Sequence, residues 1–124
     1  MADHKSQKLK SLKRSSFRSR FRLDDSDILY IRNKGIKTIR DHAIHFMTSR
    51  IAAQFPKNDG KQTPMKGHPV FIAQHATATC CRNCIERWYG IKKGRALTSN
   101  EITYVVDIIM EWIGEQIKTF PVEP

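Results

Sequence analysis

A helix near the C-terminal end does most to limit how this chain can fold, because it is written in two overlapping patterns. Thr98, Ser99, Asn100 and Glu101 form a capping box: the Thr98 hydroxyl can take the N3 amide, and Glu101 can reach back to the cap. Beyond it, Ile102, Val105, Val106, Ile109, Trp112, Ile113 and Ile117 recur at three- and four-residue spacing and mark one long apolar stripe. Asp107, Glu111 and Glu115 take the other face. The helix is expected over residues 99–118, ending at Phe120 and Pro121.

Such a stripe must be buried, and the chain supplies a second to meet it. Ile36, Ile39, Ala43, Phe46 and Met47 share a face, with Lys37, Arg40, Asp41 and His45 turned elsewhere. This helix is expected to reach about Gln54 and to stop before Pro56. Asp24, Asp25 and Ser26 open a shorter helix before it, and Gly35 closes that one. The second of these two helices lacks a row of base-reading side chains, which argues against a DNA-reading helix-turn-helix. With 124 residues the chain suits one modest core. The expected fold is mainly α: a compact bundle of about four helices with a long central loop over residues 56–68. Residues 70–73 (VFIA) read as a short strand or extended segment. The helices at 36–54 and 99–118 are expected to pack together and sandwich a cysteine-bearing helix. Residues 1–16 read as a disordered basic leader, and 17–120 as a single helical domain.

Charge is unevenly placed. The formal net charge is +10, of which residues 1–22 carry +7 and the remainder +3. Arg14, Arg18, Arg20 and Arg22, with Phe17 and Phe21 interleaved, suit phosphate and unpaired bases, so nucleic acid is the expected partner. Lys61 and Lys66 in the central loop extend that basic surface. The plainer reading is a solubilising leader, with the two phenylalanines docking it onto the core. No apolar run is long enough to span a membrane and the N-terminus lacks the apolar core of a secretory signal, so a cytoplasmic location with reduced thiols is expected.

The chemistry concentrates between residues 57 and 97, which hold all three cysteines. Thr77 or Thr79 can cap a helix bearing Cys80, Cys81 and Cys84. On a helical wheel Cys80 falls about 40° from Cys84, so the three sulfurs can share one sector. The leading reading is a metal site drawn from His68, His75, Cys80, Cys81 and Cys84, with zinc the expected ion because thiolate and imidazole suit it. The spacing departs from ordinary zinc fingers, and an iron–sulfur cluster is a lesser alternative. A second reading is an enzyme: Cys80 or Cys81, its pKa lowered at a helix start, acts as nucleophile with His75 or His68 as base. A third is a metal-dependent nuclease-like site of His68, His75 and Asp59, helped by Lys57, Lys61, Lys66 and Arg82. The fourth is plain packing, since Cys81 and Cys84 share a face with Ile85 and Trp88. His42 and His45 read as surface histidines.

The run NDGKQTPMKGHPVFIAQHATATCCRNCIERWYGI, followed by GRALT and the amphipathic helix, resembles a family of small, mainly bacterial proteins catalogued as a domain of unknown function. The resemblance covers about residues 15–117, rests above all on GHPVFIAQHATATCCR, and leaves residues 1–14 outside. It implies no activity that can be carried over. The family pattern has a histidine after the tryptophan where this chain has Tyr89, so a site using that histidine would lack it here.

Overall fold

The computed structural model describes residues 4–119, which are mainly helical. Six α-helices follow in order among these residues: α1 His4–Lys13, α2 Asp25–Lys34, α3 Ile36–Phe46, α4 Pro69–Ala76, α5 Arg82–Tyr89 and α6 Ser99–Thr119. A one-turn 3-10 helix, Arg18–Arg20, links α1 to α2, and α3 runs on into a π-helical turn, Met47–Ile51. The expected stop at Phe120 and Pro121 lies outside the described residues.

The long helix α6 organises the rest, touching α1, α3, α4 and the π-helical turn. Its capping box forms as its letters dictate: the Glu101 amide meets Thr98 Oγ1 at 3.1 Å, and Glu101 Oε1 takes the Thr98 amide at 2.9 Å. Val105, Val106, Ile109, Trp112 and Ile113 are buried, and so is Ile108, off the expected stripe. A helix covered from several sides has no free face for an isoleucine to occupy. Between α2 and α3 stands Gly35 at φ +89°, a backbone state that favours glycine and lets one residue end one helix and start the next.

Three expectations need correction. Residues 4–13, read from composition as a disordered leader, form α1, because Leu9 and Leu12 lie one turn apart and are buried at 1% and 3% exposure. Its lysines reach acidic and carbonyl groups: Lys5 to Asp107 at 3.1 Å, Lys13 to Glu115 at 2.8 Å and Lys8 to the Trp88 carbonyl at 2.8 Å. Residues 70–73 are not a strand but the body of α4, and no strand occurs among the described residues. Pro69 at the first helical position and the His68 ring accepting the Val70 amide start that helix, a signal the short apolar run concealed. Finally, α4 touches both α3 and α6, so it takes the place expected for the cysteine helix.

Candidate metal centre

The cysteine turn is built by the residues before it. Thr77 Oγ1 donates to the Ala73 carbonyl at 2.7 Å and lies 3.1 Å from Thr79 Oγ1. Gln74 Nε2 donates to the Thr79 carbonyl at 3.3 Å, and the Tyr89 hydroxyl donates to the Thr77 carbonyl. Burial, then Tyr104, pushes the Tyr89 phenol upward, so it stays a neutral donor. These bonds hold Ala78, fully buried, at φ +59°, a left-handed state that costs a non-glycine residue about 1–2 kcal/mol. The turn thus redirects the chain sharply from the end of α4 into the cysteines.

Cys80 and Cys81 are buried, while Cys84 is half-buried. Their three sulfurs lie within 4.8 Å of one another, a group that can hold a metal ion, and it is the only such group of three among the described residues. Cys84 Sγ stands 3.7 Å from Cys80 Sγ and 3.2 Å from Cys81 Sγ. Thiolates at tetrahedral corners around zinc, each about 2.3 Å from the ion, are about 3.8 Å apart, so small side-chain rotations complete the match. The helix start differs from expectation: neither Thr77 nor Thr79 caps α5. Cys81 is itself the N-cap, its sulfur taking the Cys84 amide at 3.4 Å. Thr63 Oγ1 clamps the Cys80 carbonyl at 2.7 Å and so ties the central loop to the site.

Arg18, expected to face phosphate, is instead the cluster's cationic partner. Its Nη2 lies 3.0 Å from Cys84 Sγ; its Nη1 lies 3.6 Å from Cys80 Sγ and 2.7 Å from the His75 carbonyl. Burial acts against its charge, and the bonds to Cys80 and Cys84 outweigh this, so its pKa is raised. The only sequence signal is the Phe–Arg strip itself; nothing local announces a partner more than sixty residues away.

The thiols are all pushed up from the ordinary cysteine value. The Cys81 contact does this first to Cys80, and the Cys80 contact to Cys84. For Cys81 the Cys80 contact acts downward, and the Cys84 contact with burial outweighs it. The low-pKa nucleophile expected at a helix start is therefore not what the turn builds. A divalent cation would reverse this, since coordination deprotonates a thiol outright.

The histidines go elsewhere. His75 Nε2 meets the Thr63 and Pro64 carbonyls, each at 3.1 Å, so that nitrogen carries the proton. Burial is the first cause that lowers its pKa, and Phe21 stacks on its ring at 5.5 Å. No thiol–imidazole hydrogen bond forms among the described residues. His68 starts α4, the helix that His75 nearly ends, so about 10 Å of helix rise separates them. Its Nε2 lies 3.0 Å from Nδ1 of His42, a residue that is half-buried and not the free surface histidine expected. His68 and His75 therefore do not join the cysteines, and with Asp59 they do not form a nuclease-like cluster. Arg82, expected beside phosphate, is fully buried and donates to the carbonyls of Ala53, Lys92 and Arg95. Arg14, Arg20, Arg22, Lys61 and Lys66 lie at the surface, and Phe21 is half-buried.

The fold and the site together define a small helical protein with a three-cysteine cluster able to hold a metal. The chain belongs to a family described as a domain of unknown function (DUF4186), whose model matches residues 6–114. The match begins well before residue 15 and takes in most of α1, in keeping with the burial of Leu9 and Leu12. No solved structure matches the chain. No helix among the described residues is long and apolar enough to cross a membrane.

Proposed function

We propose that this protein binds zinc through Cys80, Cys81 and Cys84, with nucleic acid as its macromolecular partner. The observation that carries the metal reading is the convergence of three sulfurs within 4.8 Å, with Arg18 beside two of them. Soft thiolates select zinc over magnesium or calcium, which take oxygen. Three unbridged thiols at this spacing fit a reducing, cytoplasmic compartment. The nucleic-acid reading rests on Arg14, Arg20, Arg22, Lys61 and Lys66 at the surface, beside Phe17, 42% exposed with Arg20 over its ring at 5.3 Å.

Native mass spectrometry with elemental analysis, on protein purified without chelators, tests the first part. One zinc per chain, lost in Cys84→Ser and kept in His75→Ala, is the expected result; a metal-free folded chain contradicts it. Thiol alkylation adds a second arm: zinc-bound thiolates resist until a chelator is added, whereas fast labelling near pH 6 would signal a free nucleophile. For the partner, changing Arg14, Arg20 and Arg22 together to glutamine should flatten the salt dependence of binding to single strands. The log–log slope should fall by about 0.7 for each phosphate that is no longer neutralised. An unchanged slope removes those residues from the interface.

A further inference from the structure

The three cysteines supply three ligands, and zinc takes four. What surrounds the cluster shows where a fourth can come from. Cys80 and Cys81 are 7% and 6% exposed and face the protein interior. Cys84 alone reaches a cleft of about 430 Å³, lined with it by Arg18, Asn83, Glu86 and Arg87. His68 cannot serve without giving up the partners just described, and neither His75 nor any other histidine or carboxylate joins the sulfurs among the described residues.

The charges at this mouth are specific. Three thiolates around a divalent ion leave one net negative charge, which the Arg18 guanidinium offsets beside Cys80 and Cys84. A guanidinium has five N–H donors, and the three Arg18 bonds described above engage only its two Nη atoms. Arg87, exposed on α5, brings a second guanidinium to the same cleft. Glu86 is the opposing charge, and its Oε2 accepts the Lys93 amide at 3.2 Å. Asn83 receives the Lys93 ammonium through its side-chain oxygen.

We infer that the cysteine centre is open rather than closed, and that its fourth position takes a small anion from solution. The anion is of carboxylate or phosphate type, bound to the metal through one oxygen and to Arg18 through another, with Arg87 at the mouth. This rests on the metal reading above. Binding is a ligand exchange: the anion enters, a water leaves, and no electrons move. An open position is what separates a centre that handles a ligand from one that only braces a fold.

Cobalt substitution tests this on the full chain. Co(II) in place of zinc gives visible ligand-field bands that report each ligand, and mass spectrometry counts the metal independently. Acetate and phosphate, titrated separately, should each shift the bands saturably, and the tighter of the two identifies the anion class. Arg18→Gln should keep one cobalt per chain and weaken the anion about tenfold or more, the scale of a missing charge-assisted hydrogen bond. Arg87→Gln, a surface change that leaves the fold alone, should weaken it by less. Bands indifferent to both anions overturn the open position while leaving the metal site standing, and bands that shift with an affinity unchanged in both variants overturn the part given to Arg18 and Arg87. Failure to take up any cobalt or zinc overturns the metal reading and this inference together.

Discussion

The cysteine turn and the His42–His68 pair both bring metal-capable side chains into contact, yet their surroundings differ in kind. At the pair, both ring nitrogens of His68 already have a use: Nδ1 accepts the Val70 amide at 3.0 Å, and Nε2, which then carries the proton, donates to His42 Nδ1. Aromatic rings fill the remaining space, with Tyr30 and Phe46 edge-on to His68 at 5.2 and 5.0 Å. Burial, then the nearby His42, lowers the His68 pKa to about 4, so it is held neutral. At the cysteine turn the sulfurs meet chiefly one another and one guanidinium. Residue type thus nominates a ligand, but the local hydrogen bonds decide whether its lone pairs remain available.

This contrast can be challenged first at the metal. Replacing Cys81 or Cys84 by serine should reduce zinc affinity by roughly a hundredfold or more, beyond the usual effect of changing a residue that only supports a ligand. His68→Ala and His42→Ala should leave it unchanged; competition with a chromophoric chelator measures both. Next comes the turn that aims the sulfurs. Ala78→Val forces a β-branched side chain into a left-handed, fully buried position and should cost about 2–4 kcal/mol in urea unfolding. Ala78→Gly should be tolerated. His68→Ala removes the α4 cap and the pairing with His42, and should cost about 1–2 kcal/mol with metal content intact.

A further test is pH dependence. Because the folded-state pKa of His68 lies below its ordinary value of 6.5, the unfolded chain binds more protons between about pH 4 and 6.5. This contribution to stability is complete above 6.5 and is lost as pH falls toward 4. Comparing midpoints of the parent and His68→Ala across that window should show a shallower slope in the variant; parallel curves would remove His68 as the source.

How legible each feature is in the sequence depends on how local its signal is. The capping box and stripe of α6, the Asp24 start of α2 and the Gly35 break are decided within a few residues, and the chain wears them openly. The clustering of Cys80, Cys81 and Cys84 is nearly as local, since a single turn and helix start place all three. Helix α1 is hidden because its two leucines sit among lysines whose partners, Asp107 and Glu115, lie at the far end of the sequence. Arg18 stands out in the sequence, but for phosphate, because a guanidinium reads the same whether its anion is a nucleotide or a thiolate. His68 and His75 group with the cysteines only by proximity in sequence. Helix α4 instead holds them at opposite ends, and each ring serves a backbone group that no side-chain pattern reveals.

Under the proposed zinc reading, sulfur from three cysteines, and not histidine nitrogen, holds the ion. X-ray absorption at the zinc edge of the purified protein is the decisive experiment. Three sulfur scatterers at about 2.3 Å and one oxygen at about 2.0 Å are expected, without the outer-shell pattern of imidazole. A spectrum with histidine outer-shell scattering, or with fewer than three sulfurs, would contradict it.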